Sequence, residues 1–156
     1  MSTKRSAIII GAGPRLSLAL AKRFGQGLGE VALISRDGDR LSTLIKELKG
    51  IGIGAYGFVA DASDLDALAT ATRDAIAAMA PLKALIYNAA AVQPNRPLQL
   101  EPINFARELI VDVVAPLAAA QIVAPVLEAN GGRQCAFHWW LVRDRPFARH
   151  GSAQCG

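Results

Sequence analysis

Four short groups of residues hold the chemistry this chain can offer. Gly11, Ala12, Gly13, Pro14, Arg15 and Leu16 form a glycine-bearing turn. It lies between the apolar run 7–10 and a series, Leu16, Leu20 and Phe24, at helical spacing. Such a turn sets a helix N-terminus at the end of a strand, where unpaired N–H groups and the positive dipole end suit an anion such as phosphate. Arg36 follows a second apolar run with a fixed positive charge, and either answers a further anion or sits as a solvated turn residue. Asp61-Ala62 and Asn88-Ala89-Ala90 each follow another apolar run. Asp61 can accept hydrogen bonds from a ligand or cap an approaching helix, and Asn88 can bind a ligand or simply shape a turn.

Each group needs a strand to carry it and a helix to follow. The strands read as 7–10, 30–35, 55–60 and 83–87, the first of them apolar throughout, as in a parallel sheet buried on both faces. The first helix carries the Leu16, Leu20 and Phe24 stripe. Leu41, Leu44, Ile45 and Leu48 mark the second, closed by Gly50. Ser63 with Asp66 resembles a capping box and opens a third helix bearing Leu65, Leu68, Ile76 and Met79, which stops before Pro81. Proline-rich residues 92–102 read as a loop. Residues 103–130 read as a long helical stretch with Phe105, Leu109, Val113 and Leu117 on one side, kinked or divided by Pro116 and Pro125. The β-α alternation predicts an α/β protein with a doubly wound parallel sheet and helices on both faces. Its strand order is expected to be 3-2-1-4, with any fifth strand drawn from 136–142. The ligand crevice then lies at the carboxyl ends of the strands.

At 156 residues and 16.4 kDa the chain supports one domain with a real core, and 52% hydrophobic residues with a mean hydropathy of +0.28 argue against disorder. No apolar run approaches the ~18 residues that span a bilayer, so no membrane partner is expected. The basic start MSTKRS leads straight into the glycine turn and does not read as a signal peptide. Two cysteines suggest no disulfide framework, and a cytoplasmic location follows as the expectation. Of the net charge of +4, residues 131–156 contribute +3 through four arginines and one aspartate. The body therefore lacks the basic face that nucleic acid requires.

The turn fails the last term of G-x-G-x-x-G, because Leu16 stands at the third glycine. It more closely resembles the cofactor turn of the short-chain dehydrogenase/reductase family, spaced G-x-x-x-G-x-G. Gly11 matches, Arg15 and Ser17 stand where glycines are usual, and Gly13-Pro14 resembles the family's G-A-G-P variant. Asn88-Ala89-Ala90 is close to the family's N-A-G turn, and the stretch ELIVDVVAPLAAAQIVAP resembles its fifth-helix pattern. The resemblance covers about residues 6–132. It implies a Rossmann-type fold holding a dinucleotide through Gly11, Gly13, Arg15, Leu16, Arg36, Asp61, Ala62, Asn88, Ala89 and Ala90. In the family the aspartate meets the adenine ring and the N-A-G turn lines the ribose. Arg36 stands where NAD sites place a carboxylate, which favours NADP(H) over NAD(H). Arg15 would hinder binding if its φ had to be positive, yet its guanidinium could instead reach the phosphate.

The resemblance also implies an oxidoreductase acting on a small-molecule carbonyl or alcohol, and here the chain departs from the pattern. The family's proton donor is a tyrosine four residues before a lysine, with a serine beside it. This chain has only Tyr56 and Tyr87, no Y-x-x-x-K, and Ser152 as its sole serine after residue 63. Asp112 stands at the family's catalytic asparagine, or is an ordinary polar residue on a half-buried helix. Three readings stay open: an NADP(H)-dependent oxidoreductase whose catalytic half is missing here, an inactive nucleotide-binding module with a possible homo-oligomer contact through helix 103–130, and a non-functional truncated product.

Residues 1–132 form the expected dinucleotide-binding domain, and 133–156 an atypical basic tail. That tail holds both tryptophans, both histidines and both cysteines of the chain. Cys135-x-x-His138 and His150-x-x-x-x-Cys155 could hold zinc, although the spacing is loose and no metal is expected. A shifted reading frame from about Arg133 accounts for the break. Tryptophan has a single codon, so Trp139-Trp140 read one nucleotide later gives Gly-Gly, and the preceding residues can read F-T. The text F-T-G-G resembles the family's fifth strand and the loop after it.

Overall fold

The computed structural model describes residues 4–91, 97–131 and 134–137. Five parallel strands, β1 (Arg5–Ile10), β2 (Gly29–Ser35), β3 (Gly54–Val59), β4 (Leu82–Tyr87) and β5 (Gln134–Phe137), form one sheet in the order β3-β2-β1-β4-β5. The expected order 3-2-1-4 is borne out. β5 begins two residues before the stretch expected to supply it, and residues 138–142 lie outside those described. In the register Ile10 stands beside both Ile34 and Tyr87, and Ser35 beside Val59, so the four longer strands end at one edge.

The central strand β1 shows why residues 7–10 are apolar throughout. Ala7 and Ile9 enter one core with Val31, Leu33 and the helices α1 (Leu16–Leu28) and α2 (Gly38–Gly50). Ile8 and Ile10 enter the other with Ala32, Ile34 and residues of α3 (Leu65–Ala78) and α5 (Ala115–Ala129). Alternate side chains of one strand thus feed two opposite layers, the arrangement of a doubly wound sheet.

The helices correct the sequence reading in detail. In α1 the residues facing the sheet are Ser17, Ala21 and Gly25, one position along from the expected Leu16, Leu20 and Phe24; Leu16 is 45% exposed. The helix lies so close that a Cβ on Gly25 would stand 2.4 Å from Ile53 Cγ2, and only small residues fit. The larger apolar residues Leu20 and Phe24 flank the contact, partly buried. Asp37 caps α2, accepting from the Arg40 N–H at 2.9 Å. Gly50 is the last helical residue, and the glycine that turns the chain is Gly52, at φ +82. The cap of α3 is Asp64, which accepts from the Ala67 N–H at 3.0 Å, in place of the expected Ser63. Ser63 bonds to Asp61 instead.

The long apolar helix divides as expected, but before Pro116 and not at Pro125. α4 (Pro102–Leu109) passes through one π turn (Ile110–Val114) into α5, and Pro125 is accommodated inside α5. The π turn has a cause. Ala115 N–H reaches back to Ile110, while Pro116 has no N–H to offer Val111. Pro102–Ala129 is, by length and composition, long and apolar enough to cross a membrane, contrary to the expectation that no run comes near. Its Ala115, Ala119, Val123 and Leu127 are core residues against the sheet.

Candidate functional site

At the carboxyl edge of the sheet, β1 leads into Gly11, β2 into Arg36, β3 into Asp61 and β4 into Asn88. All ten expected binding residues therefore sit on consecutive strand ends around the point where the order reverses, between β1 and β4.

The glycine turn is seated tightly at its start. Gly11 has φ +84, and a Cβ there would fall 2.2 Å from Ala89 N, so no other residue fits against the β4 turn. The N–H groups of Gly11 and Ala12 both donate to Ile34 O, at 2.9 and 3.0 Å. The Gly11 carbonyl accepts from the buried Ser17 hydroxyl at 2.8 Å and from Asn88 Nδ2 at 3.3 Å, and Asn88 Nδ2 also donates to Ser17 Oγ at 2.7 Å. Beyond Ala12 the turn is open. A Cβ on Gly13 would meet no atom within 4 Å, so packing does not demand a glycine there. Arg15 takes the N-cap position of α1 at φ −109, so its φ lies outside the left-handed region that favours glycine. Neither a capping side chain nor an acidic residue covers the first turn of α1, whereas aspartates cap α2 and α3. An uncovered helix N-terminus above an open glycine turn fits a pyrophosphate.

Arg36 is exposed at the end of β2 and close enough to Asp61 for its charge to be felt there. The Asp61 carboxyl is held below the usual carboxylate range. Its chief cause is the Ser63 N–H, followed by the Ser63 hydroxyl, both 2.9 Å from Oδ1; Arg36 adds a smaller electrostatic contribution. Ala62 and Ala89 are half-buried and Ala90 exposed, so the two turns line the crevice with small side chains. An open groove between β3 and α3, lined by Phe58, Val59, Asp66 and Asp74 among others, shares none of these residues.

Asp112 lies in the π turn, and its Oδ1 accepts the Ala91 N–H at 2.9 Å, tying the helix to the β4 turn. This bond uses only an acceptor oxygen, which aspartate and asparagine share. Sequence reasoning missed a second bond between β4 and the same π turn. Tyr87, fully buried at the end of β4, donates its hydroxyl to Val111 O at 2.5 Å, supplying the bond that Pro116 cannot. Burial, then the charges of Asp112 and Asp61, push its phenol far above the ordinary tyrosine value. Tyr87 is thus a fixed structural donor and not a substitute for an activated proton donor. The proline five residues after Val111 was the signal in the sequence. Among the described residues no group of three or more His, Cys, Asp or Glu could hold a metal. The side chains of the two Cys/His pairs in the tail lie outside the described residues.

The model of the family described as short chain dehydrogenase matches residues 5–134. The chain belongs to the short-chain dehydrogenase family. It is 26% identical over 128 residues to the 7α-hydroxysteroid dehydrogenase of Escherichia coli K12, covering 82% of this chain and 50% of that protein. The chain spans about half the length of the curated relatives it matches. Among solved structures it resembles a short-chain dehydrogenase from Rhodopseudomonas palustris, with a TM-score of 0.78 at 24% identity over 85% of this chain and 62% of that one. It also resembles a metagenomic short-chain oxidoreductase in complex with NADP, with a TM-score of 0.80 at 23% identity, covering 88% and 63%. These likenesses place the short-chain dehydrogenase fold on the described sheet and helices.

Proposed function

We propose that this chain is the cofactor-holding part of an NADP(H)-dependent short-chain oxidoreductase acting on a small-molecule carbonyl or alcohol. The observation that carries the reading is the convergence of the open glycine turn, Arg36, Asp61 and Asn88 on one strand-order reversal. Gly11, Gly13, Arg15 and Leu16 would face the pyrophosphate, Arg36 the 2′-phosphate, Asp61 and Ala62 the adenine, and Asn88, Ala89 and Ala90 the ribose. When bound, the nicotinamide supplies or accepts a hydride. The chain's own part is to orient the cofactor; Asp112 occupies the family's asparagine position and fixes the β4 turn through Ala91.

The 156 residues contain no Y-x-x-x-K, so a second reading has a specific observation behind it: a module that holds the nucleotide without turnover. Fluorescence titration with NADPH and NADH, together with a carbonyl-reduction assay, tests both. NADPH is expected to bind more tightly through a charge-assisted contact of ~1.5–3 kcal/mol, and Arg36→Asp to reverse the order. Hydride transfer is expected to be negligible, because positioning alone lacks the ~10²–10⁴-fold of general acid catalysis. Equal affinities before and after the substitution remove Arg36 from the site. Fast turnover reveals a proton donor elsewhere.

Residues 1–132 are proposed as the dinucleotide-binding domain, in a cytoplasmic protein. A shifted frame from about Arg133 remains the proposed origin of the tail. It is supported by the composition break and by a family match that ends at residue 134. The nucleotide sequence from codon 128 onward decides it: an early stop in the shifted frame, or no Y-x-x-x-K there, refutes the idea. The outward stripe of the long helix is proposed as a contact between two copies of the chain.

A further inference from the structure

The turn departs from the family's glycine spacing at Arg15 and Ser17, and the two departures have opposite characters. Arg15 is exposed, whereas Ser17 is only 2% exposed and lies where three elements meet. Its hydroxyl donates to the Gly11 carbonyl at the end of β1 and accepts from the Asn88 amide at the end of β4. The Asn88 main-chain N–H in turn donates to Ile10 O at 2.8 Å. A glycine at position 17 would allow α1 to approach the sheet but could not join these groups. Ser17 does both, because the next sheet-facing residues of α1 are Ala21 and Gly25 and the helix is already close.

We propose that Ser17 is a positioning residue for the dinucleotide, its hydroxyl locking the glycine turn of β1 to the Asn88 turn of β4 so that both sides of the crevice are held in one arrangement before the cofactor arrives. The inference rests on the reading that this crevice holds a dinucleotide. The physical basis is preorganisation: two loops already fixed lose less freedom on binding. Removing the hydroxyl takes the closest partner from both the Gly11 carbonyl and the Asn88 amide, and leaves the half-buried pair only their longer 3.3 Å bond to each other. The loops then settle elsewhere, and the grip on the pyrophosphate and ribose weakens. Both features are common to NADP(H) and NAD(H), so the effect does not depend on the 2′-phosphate.

The test is fluorescence titration of the 156-residue chain with NADPH and with NADH, alongside its thermal midpoint without cofactor. Ser17→Ala is expected to weaken both cofactors alike, by about five- to twentyfold, whereas Arg36→Asp weakens NADPH alone. Ser17→Cys keeps the volume with a feeble donor and should show the same loss, which covers the case in which the alanine variant does not fold. Ser17→Thr keeps the hydroxyl and should restore affinity to within about threefold of the parent. In an Asn88→Ala background the Ser17→Ala loss should shrink to about twofold or less, because the lock is already open. A lowered thermal midpoint with both affinities unchanged would make Ser17 merely structural and overturn the proposal. A parent chain that binds neither cofactor overturns the cofactor reading itself and this inference with it, a result distinct from the first.

Discussion

Tyr87 and Gly13 are two single residues whose chemistry runs against their first appearance. Tyr87 carries a phenol near the candidate site, yet its proton is committed to Val111 O in a buried setting. Tyr87→Phe should lower stability at neutral pH by ~1–2 kcal/mol, since the Val111 carbonyl loses its partner. The phenol's folded-state value is raised, so its contribution is complete below the unfolded value of about 10 and is lost as pH rises further. The stability gap between parent and Tyr87→Phe, measured by urea unfolding, should therefore narrow above about pH 10; a gap that widens refutes the assignment. Gly13 is the converse case, a glycine that packing does not require. Gly13→Ala should leave the thermal midpoint nearly unchanged while weakening NADPH in a titration, and Gly11→Ala should destabilise the fold outright. At this scale the placement of the candidate site was legible, because the glycines, Arg36, Asp61 and Asn88 each follow an apolar run that forms a strand. The Tyr87 bond was not. It joins residues 24 apart through a carbonyl that only the helix irregularity leaves free.

Helix α1 shows what periodicity can and cannot supply. The spacing of Leu16, Leu20 and Phe24 located the helix, but the face against the sheet is Ser17, Ala21 and Gly25. An apolar stripe marks the contact when helix and sheet stand at ordinary separation. Here Gly25 sits directly against the Ile53 side chain, and the small Ser17, Ala21 and Gly25 occupy the buried face while the large residues flank it. Gly25→Ala gives this a sign. Helix propensity favours alanine by ~1 kcal/mol, but its Cβ would press on Ile53 Cγ2, a branch that cannot swing away like a chain end. Overpacking of this kind costs ~1–3 kcal/mol. The expected result is a net loss of about 1 kcal/mol in chemical unfolding; a stabilised variant would show that α1 can shift outward freely. The caps teach a similar lesson. Aspartates cap both α2 and α3, and a serine at the right spacing was the wrong residue because Asp61 had already engaged it.

For the molecule as a whole, the strand order and both helical layers followed from the alternation of apolar runs, since right-handed crossovers leave little choice. The outward face of the long helix was less legible, because an apolar stripe reads the same whether it faces a core or a partner. Phe105, Leu109, Val113 and Leu117 are all exposed, Leu117 at 59%. An exposed apolar row of this extent supports the proposed contact between two copies of the chain. Leu117→Glu is expected to shift the chain to a smaller species in light scattering without altering cofactor titration. A parent chain that is already monomeric removes the stripe as an interface.

The pairing of β1 with β4 also sets a clock. Gly11 and Asn88 are 77 positions apart, and the sheet's central strand is completed only when β4 docks beside it. Contacts between such distant segments form late, after the entropy of closing the intervening loop has been met. During synthesis, the glycine turn leaves the ribosome with no wall against which to seat Gly11. Capture of the proposed cofactor must wait for about eighty further residues to emerge. A ligand that recognises only the finished crevice then acts mainly on escape from the folded state: it slows unfolding and leaves the rate of folding almost untouched.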